Sequence, residues 1–379
     1  MLVFLAVVLG VTAAIHYYLW HRLVKVPLWP SPWLTVGTWA IVALAATIPV
    51  AFLSSRFLPR DAASPVAWTA FVWMGAMFLL VVLLVPAELV RAAAPFFPSG
   101  EELGAPDRRA FLARSIALVV GAAGFGLSAL AVRNALAPVK VQHVRVPLRA
   151  LPSALAGFTI VQLTDIHVGP TIGRAFIEDL VQRTNALEPD VIAITGDLVD
   201  GSVAELGDAV RPLGELRARH GVFFVTGNHE YYSGADEWIA FLRALDIQVL
   251  RNERVSIEHE GAILDLAGVD DWESGQHGHG RDLRKALEGR DTDRLVVLLA
   301  HQPKQIEEAA ALGVDLQLSG HTHGGQIVPF NYLVKLQQPY VAGLHDHGPT
   351  KLYVSSGTGY WGPPMRLGVA AEITRIELA

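Results

Sequence analysis

The sequence predicts a molecule in two parts: a bundle of about four membrane-spanning helices, then an α/β domain of two packed mixed β-sheets flanked by helices. Three observations predict it. Four apolar runs crowd the first third of the 379 residues. Beyond residue 157, β-rich runs alternate with helical stretches and polar turns. The charge also changes sign between the parts. Residues 1–150 hold 12 basic and 5 acidic side chains, a net +7, whereas residues 151–379 hold 18 and 31, a net −13.

The apolar runs are Met1–Trp20, Leu34–Leu53, Ala67–Pro86 and Ile116–Val132. The first three approach the ~20 residues that a helix needs to cross a bilayer, and the fourth is shorter and rich in Gly and Ala. His16 and His21 read as interfacial. Arg22 and Lys25 follow the first run, Arg56 and Arg60 the second, and Arg91, Arg108, Arg109 and Arg114 precede the fourth. The positive-inside rule then places the 1–2 and 3–4 linkers in the cytoplasm, and the N-terminus and everything after residue 132 outside. Arg133, Lys140, Arg145 and Arg149 pull the other way.

Arg108-Arg109-Ala110-Phe111-Leu112, with the mildly apolar stretch behind it, resembles a twin-arginine export signal. Ala135-Leu136-Ala137 resembles a small-residue cleavage site, although Pro138 follows directly. The alternative is a pair of ordinary basic residues ahead of a membrane helix. The boundaries expected are a membrane region over 1–137, a linker and edge strand over 138–156, and a folded domain over 157–379.

Within that domain, Phe158–Thr164, Asp190–Thr195, Gly221–Thr226, Ala262–Gly268, Arg294–Ala300 and Val314–Ser319 read as strands, as do Lys351–Ser355 and Ala370–Leu378. Helical stretches are expected at Gly173–Leu187, Val203–Arg219 and Lys304–Leu312. Asp190–Thr195 is apolar almost throughout, the pattern of a strand buried on both faces. Polar turns follow the strands: Asp165-Ile166-His167, Gly196-Asp197-Leu198-Val199-Asp200, Gly227-Asn228-His229-Glu230, His301-Gln302-Pro303 and Gly320-His321-Thr322-His323. Layered α/β folds place their ligands at the carboxyl ends of strands.

Asp165, His167, Asp197, Asn228, His301, His321 and His323 therefore all lie just past a strand end. Singly, each has an ordinary explanation as a cap or a turn residue. Together they are nitrogen and oxygen donors converging at successive strand ends. The chain has no cysteine, so a metal here must be held by such donors. Eleven of the 14 histidines lie in this acidic part, whose charge also argues against a nucleic-acid surface. Seven donors exceed one open site and suit two ions about 3.5–4 Å apart with a bridging carboxylate. Asp197, at the end of the most buried strand, is the natural bridge. The i, i+2 pairs Asp165/His167 and His321/His323 would share one face of extended chain.

The ordered set Asp-x-His, Gly-Asp-x-x-Asp, Gly-Asn-His-Glu, a lone strand-end His and Gly-His-Thr-His resembles the calcineurin-like metallophosphoesterase family, over roughly residues 157–379. The resemblance implies that one ion takes Asp165, His167, Asp197 and His323, and the other Asp197, Asn228, His301 and His321. It implies Mn, Fe or Zn as the ions and His229 as a catalytic histidine beside them. A metal-bridging hydroxide would attack phosphorus in line, and His229, or a water it orients, would protonate the leaving oxygen. Asp200 and Glu230 read as supports or turn residues.

The tail "SSGTGYWGPPMRLG" and Gly324-Gly325-Gln326 resemble the membrane-associated bacterial phosphodiesterase branch of that family. That implies an integral protein of the bacterial cell membrane with an extracytoplasmic catalytic domain. It implies a phosphodiester substrate, lipid-linked or belonging to the envelope, and the twin-arginine machinery as a partner. The alternatives are a metal-dependent phosphomonoesterase and a non-catalytic metal-binding membrane sensor. His277, His279, His345 and His347 read as loop residues or as pocket lining. Trp361 with Pro363-Pro364 reads as an apolar wall for the leaving group or as a packed loop.

Overall fold

The computed structural model describes residues 2–93, 106–149 and 151–379, and these form two compact units. One comprises residues 1–133 with 362–365, the other residues 134–361 with 366–379.

The first unit is built from helices α1 (Leu2–Trp20), α2 (Trp33–Phe57), α3 (Arg60–Ala93) and α4 (Pro106–Ala135). Among the described residues, the stretches Trp33–Ser55, Ala62–Ala93 and Asp107–Ala135 are long and apolar enough to cross a membrane. Helix α3 runs well past the expected Ala67–Pro86, and α4 starts ten residues before the expected Ile116, because each helix continues through polar residues that hydropathy alone leaves out. The linker between α3 and α4, residues 94–105, lies outside the described residues. Leu19, Trp73, Met77, Leu80, Leu84 and Val120 form the core of the bundle. His16 is buried among the helices: the Trp73 indole donates to its Nε2 at 2.8 Å, and its Nδ1 meets the Thr12 carbonyl at 2.8 Å. Glu88 pairs with Arg22 at 2.6 Å and accepts from the Tyr18 hydroxyl at 3.0 Å.

The second unit is a sandwich of two six-stranded sheets. Its strands are β1 (Lys140–Val146), β2 (Thr159–Leu163), β3 (Val191–Ile194), β4 (Val222–Phe224), β5 (Gln248–Val249), β6 (Glu253–His259), β7 (Ala262–Gly268), β8 (Leu295–Leu299), β9 (Leu316–Ser319), β10 (Gly343–His347), β11 (Thr350–Val354) and β12 (Glu372–Leu378). The first sheet has the order β1-β12-β2-β3-β4-β5 and the second β10-β11-β9-β8-β7-β6. Both are mixed. β2 through β5 are parallel while β12 runs antiparallel to β2; β7, β8, β9 and β11 are parallel while the edge strands β6 and β10 run antiparallel.

Successive residues of a strand point to opposite faces, and here both faces are covered. Ile160, Val191, Ala193, Phe223, Leu264, Leu266, Val297 and Leu318 meet between the sheets. Val161, Leu163, Ile192, Ile194 and Phe224 face α5 (Arg174–Asn185), α6 (Val203–Val210) and α8 (Ala235–Arg243), just beyond α7 (Asn228–Ser233). Ala267, Val296, Leu298 and Leu352 face α9 (Leu283–Ala286) and α10 (Ile306–Ala311). Double coverage is why β3 and β8 show no polar alternation. It also places the carboxyl ends of β2, β3, β4, β8 and β9 together along one edge of the sandwich.

Candidate metal centre

At that edge, the two sheets are sewn together by polar groups. The buried Gln162 amide of β2 donates to the Thr195 hydroxyl at 2.8 Å and to the Ser319 carbonyl of β9 at 2.9 Å. The Asp165 carboxylate takes the His321 N–H across both oxygens, at 2.9 and 3.0 Å. The loops carrying the sequence-predicted donors are therefore fixed to one another before any ion is considered.

The donors do not lie on extended chain. Asp165, His167, Asp197, His321 and His323 all have left-handed backbone, with φ of 52°, 56°, 51°, 70° and 50°. This corrects the expectation that the i, i+2 pairs share the face of a strand. Non-glycine residues avoid this region, and a cluster of them marks a site whose surroundings overdetermine the backbone. The glycines beside them are needed for space: a Cβ on Gly227 would collide with the Asp197 carboxylate, and one on Gly320 with that of Asp165.

Two groups of ligand atoms result. Asp165, His167 and His323 form one, with His323 Nε2 3.1 Å from His167 Nε2 and 3.4 Å from Asp165 Oδ1. Asp197, His301 and His321 form the other, with His301 Nε2 3.0 Å from Asp197 Oδ2 and 3.2 Å from His321 Nδ1. Asp197 Oδ2 also lies 3.9 Å from His167 Nε2, so one carboxylate oxygen stands between the two groups. Asn228 is buried at the start of α7, and its Oδ1 has no hydrogen-bond partner. His229, next in the chain, donates its backbone N–H to Asp197 Oδ1 at 2.9 Å.

The ring tautomers follow from the outer contacts. His301 donates Nδ1–H to the Thr195 carbonyl at 2.8 Å, which turns Nε2 toward Asp197; burial works against the charged ring, but Asp197, Asp165 and Asp271 outweigh it and hold His301 well above the usual imidazole range, so a metal at Nε2 would displace a proton. His167 Nδ1 meets Asp200 Oδ1 at 3.1 Å, which again leaves Nε2 facing inward. His323 Nδ1 is buried without a partner. Burial, and the charge of His301, push His321 down to about 3; burial, and the charge of His167, hold His323 well below the usual imidazole range. Both rings are thus in the neutral form that binds metal. Burial raises Asp165, whereas for Asp197 His301, His229 and His167 together outweigh burial and hold the carboxylate ionised. Buried oxygen and nitrogen atoms left unpaired, with carboxylates among imidazoles of which His321 and His323 are held neutral, are a donor set that divalent cations fit.

Asp200 and Glu230 support these donors. Asp200 Oδ1 bridges His167 Nδ1 and His229 Nδ1, the latter at 2.6 Å. Burial depresses the His229 pKa, but Asp200, Asp197 and Glu230 together raise it to about 9. Glu230, fully buried, accepts backbone N–H groups of Gly227, Asp197 and Leu198 at 2.6, 3.0 and 2.8 Å, which joins the ends of β3 and β4. Burial and the charge of Asp197 push it up to about 7.

Sequence reasoning missed two residues. Asp271, buried just past β7, accepts the Gln302 side-chain amide on both carboxylate oxygens, each at 3.1 Å; its position after a strand end was the available signal. Arg366 is a fully buried guanidinium that donates only to carbonyls, those of Ser356, Gly357, Gly359 and Ala370. It secures the loop that packs Gly359 under Ile166 and Gly357 against His323. No local pattern distinguishes it from a surface arginine.

The other histidines stay apart from both groups. His277 stacks near Tyr231, and His279 Nδ1 lies 2.9 Å from an Arg251 nitrogen. His345 and His347 are not in a loop but on the edge strand β10, against Tyr340. Asp190, His220 and His259 meet at the opposite, amino ends of β3 and β4, where the carboxylate is taken by Thr159 and Arg219 and the two rings bond each other. Trp361 is more than half exposed, with its ring 5.7 Å from that of His229.

The fold and the donors define a metal-dependent hydrolase of phosphoesters. Residues 158–325 match the calcineurin-like phosphoesterase family. The chain is 41% identical over 353 residues to a bovine transmembrane protein with metallophosphoesterase domain, spanning 89% of this chain and 79% of that protein. It is 36% identical over 378 residues to the Danio rerio protein so named, spanning 95% and 85%. It is 43% identical over 246 residues to an uncharacterized metallophosphoesterase of Helicobacter pylori strain J99, spanning 64% and 65%. The chain belongs to the metallophosphoesterase family and, like the first two relatives, is a transmembrane member of it.

Proposed function

We propose that the protein is a phosphodiesterase that uses two divalent cations, Mn, Fe or Zn, and that its catalytic part, residues 157–379, is held outside the cytoplasm by the membrane region 1–137. The observation that supports two ions is the place of Asp197 Oδ2, within reach of both donor groups. One ion would take Asp165, His167, Asp197 and His323; the other would take Asp197, Asn228, His301 and His321. Bound there, such ions acidify water and offset the negative charge of a phosphoryl group.

The chain's own residues supply the rest. His229 stands at the rim with Asp200 on its Nδ1, so its Nε2 can deliver a proton to the leaving oxygen. Asp200 at once orients His167 and His229, which couples the first donor group to that proton. Burial of the donors excludes bulk water from the side of the site away from its mouth. The paired basic residues at the head of α4, Arg108 and Arg109, support export of the catalytic part through the twin-arginine route. A lipid-linked or envelope substrate fits a membrane-tethered enzyme.

The test is turnover by the full chain in detergent. A chromogenic phosphate diester and the matching monoester are compared with added Mn²⁺ or Zn²⁺, after chelation, and in Asp197→Asn. Metal-dependent diester cleavage lost in the variant is expected. Cleavage of the monoester alone would make the protein a phosphomonoesterase. No turnover of either ester with both ions bound would leave a metal-binding sensor.

A further inference from the structure

Directly after the His321/His323 loop, the chain runs through Ile327-Val-Pro-Phe-Asn-Tyr-Leu-Val-Lys-Leu336 and the short helix α11 (Asn331–Val334). Ile327 is buried and Val334 half-buried, but the other apolar side chains of the segment stay at the surface. Leu336 is 80% exposed and Tyr332 64%, and Val328, Phe330 and Leu333 are also exposed. Single exposed apolar residues are ordinary, but several on one short segment are not. The sole charge among residues 327–338 is Lys335, whose ammonium lies 5.6 Å from the centre of the Tyr332 ring.

This segment is rigidly continuous with the rim of the candidate centre. The Gln326 amide donates to the Trp361 carbonyl at 3.0 Å and accepts the Trp361 N–H at 2.9 Å. Val328 donates its N–H to the Leu367 carbonyl at 3.0 Å. Trp361, itself 54% exposed, stands beside His229.

We propose that the segment 327–336 docks on a lipid bilayer surface, and that the rim at Trp361 thereby admits phosphoesters whose apolar part stays in the bilayer. The second half rests on the phosphodiesterase reading; the docking itself does not. Four features of the molecule select a bilayer as the occupant. The chain carries its own membrane-crossing helices, so a bilayer is always tethered to it. The exposed types are aliphatic and aromatic residues with one lysine, the composition that settles at a membrane interface. The lone positive charge suits anionic headgroups in an otherwise acidic half of the chain. The segment is also far too short to give the ~800 Å² per partner of a stable dimer.

The absence of cysteine makes the test direct. The full chain carrying Leu336→Cys, or Asp208→Cys on the exposed surface of α6 as a control, is labelled with a polarity-sensitive fluorophore. Each is placed in nanodiscs of phosphatidylcholine and phosphatidylglycerol, with or without brominated acyl chains. The label at 336 should shift to the blue and be quenched by bromine, and the label at 208 should do neither. Two equally aqueous, unquenched labels would overturn the docking. So would a blue shift at 336 that ignores bromine and vanishes on dilution, which would assign the face to a second copy. Turnover then separates the two halves. In Leu333→Ser/Leu336→Ser, cleavage of hexadecyl p-nitrophenyl phosphate in the discs should fall about tenfold relative to that of soluble bis(p-nitrophenyl) phosphate. An unchanged ratio overturns the rim's role. Absence of any turnover, with bromine quenching at 336 intact, sinks the phosphodiesterase reading while the docking stands.

Discussion

Five of the seven candidate metal donors occupy left-handed backbone, which costs a non-glycine residue roughly 1–2 kcal/mol. The surrounding contacts sustain that strain: Glu230 beneath Asp197, and the mutual hold of Asp165 and His321. The donors were legible in the sequence because their types and their strand-end spacing are unusual together. Their backbone was not, since Asp and His enter the left-handed region more often than most residues but far too rarely for it to be read from their type, as it can be for glycine. Asp200 gives a sharp test at this scale. Asp200→Asn keeps the size of the side chain but weakens its hold on His167 and His229, and metal affinity measured by competition with a chelator should fall about 10–100-fold. Unchanged affinity would assign Asp200 to the turn alone. The His229–Asp200 pair also predicts a pH effect in metal-depleted protein. His229 is raised from about 6.5 to about 9, so its contribution to stability is complete below about pH 6.5 and is lost as pH rises through 9. The melting temperature should therefore decline over that range, and less steeply in His229→Gln.

At the scale of elements, the sequence showed every strand buried on both faces, and the edge strand β1 and the half-buried β12 as well, but it hid β5, β6 and β10. β3 and β8 announce themselves as apolar runs. β5 has only two residues, and β10 reads Gly-Leu-His-Asp-His, so neither carries a period long enough to see. The helix expected over Val203–Arg219 closes at Val210, where Pro212 and Gly214 turn the chain into a short 3₁₀ segment. The loop 356–361 depends on Arg366, a partner distant in pattern though near in sequence. Arg366→Leu would leave buried carbonyls unbonded and should cost roughly 3 kcal/mol. Hydrogen exchange of Gly357 and Gly359 amides should accelerate with it. Arg366→Lys should rescue little, because one ammonium cannot span carbonyls that a planar guanidinium reaches together. Wild-type exchange in the leucine variant would show that the loop is held otherwise.

For the whole molecule, composition already separated a basic, apolar membrane part from an acidic, histidine-rich one. What it could not supply was the pairing of two sheets, because the donors come from both and meet only when the sheets pack face to face and bring β2 against β9. Ions held at that seam tie the sheets together, so metal should stabilise the second unit as any ligand of the native state does, by about 2.7 kcal/mol at a hundred times its dissociation constant. A chelator should lower the melting transition of the second unit, and saturating Mn²⁺ should restore it.

The central claim is that two ions share Asp197. The most direct measurement is a titration of metal-depleted full chain with Mn²⁺, following bound metal and diester turnover together. The account predicts that turnover saturates at two ions per chain, and that Asp197→Asn loses most of it even where metal still binds. Saturation at one ion, or full turnover in Asp197→Asn with both ions held, would contradict it.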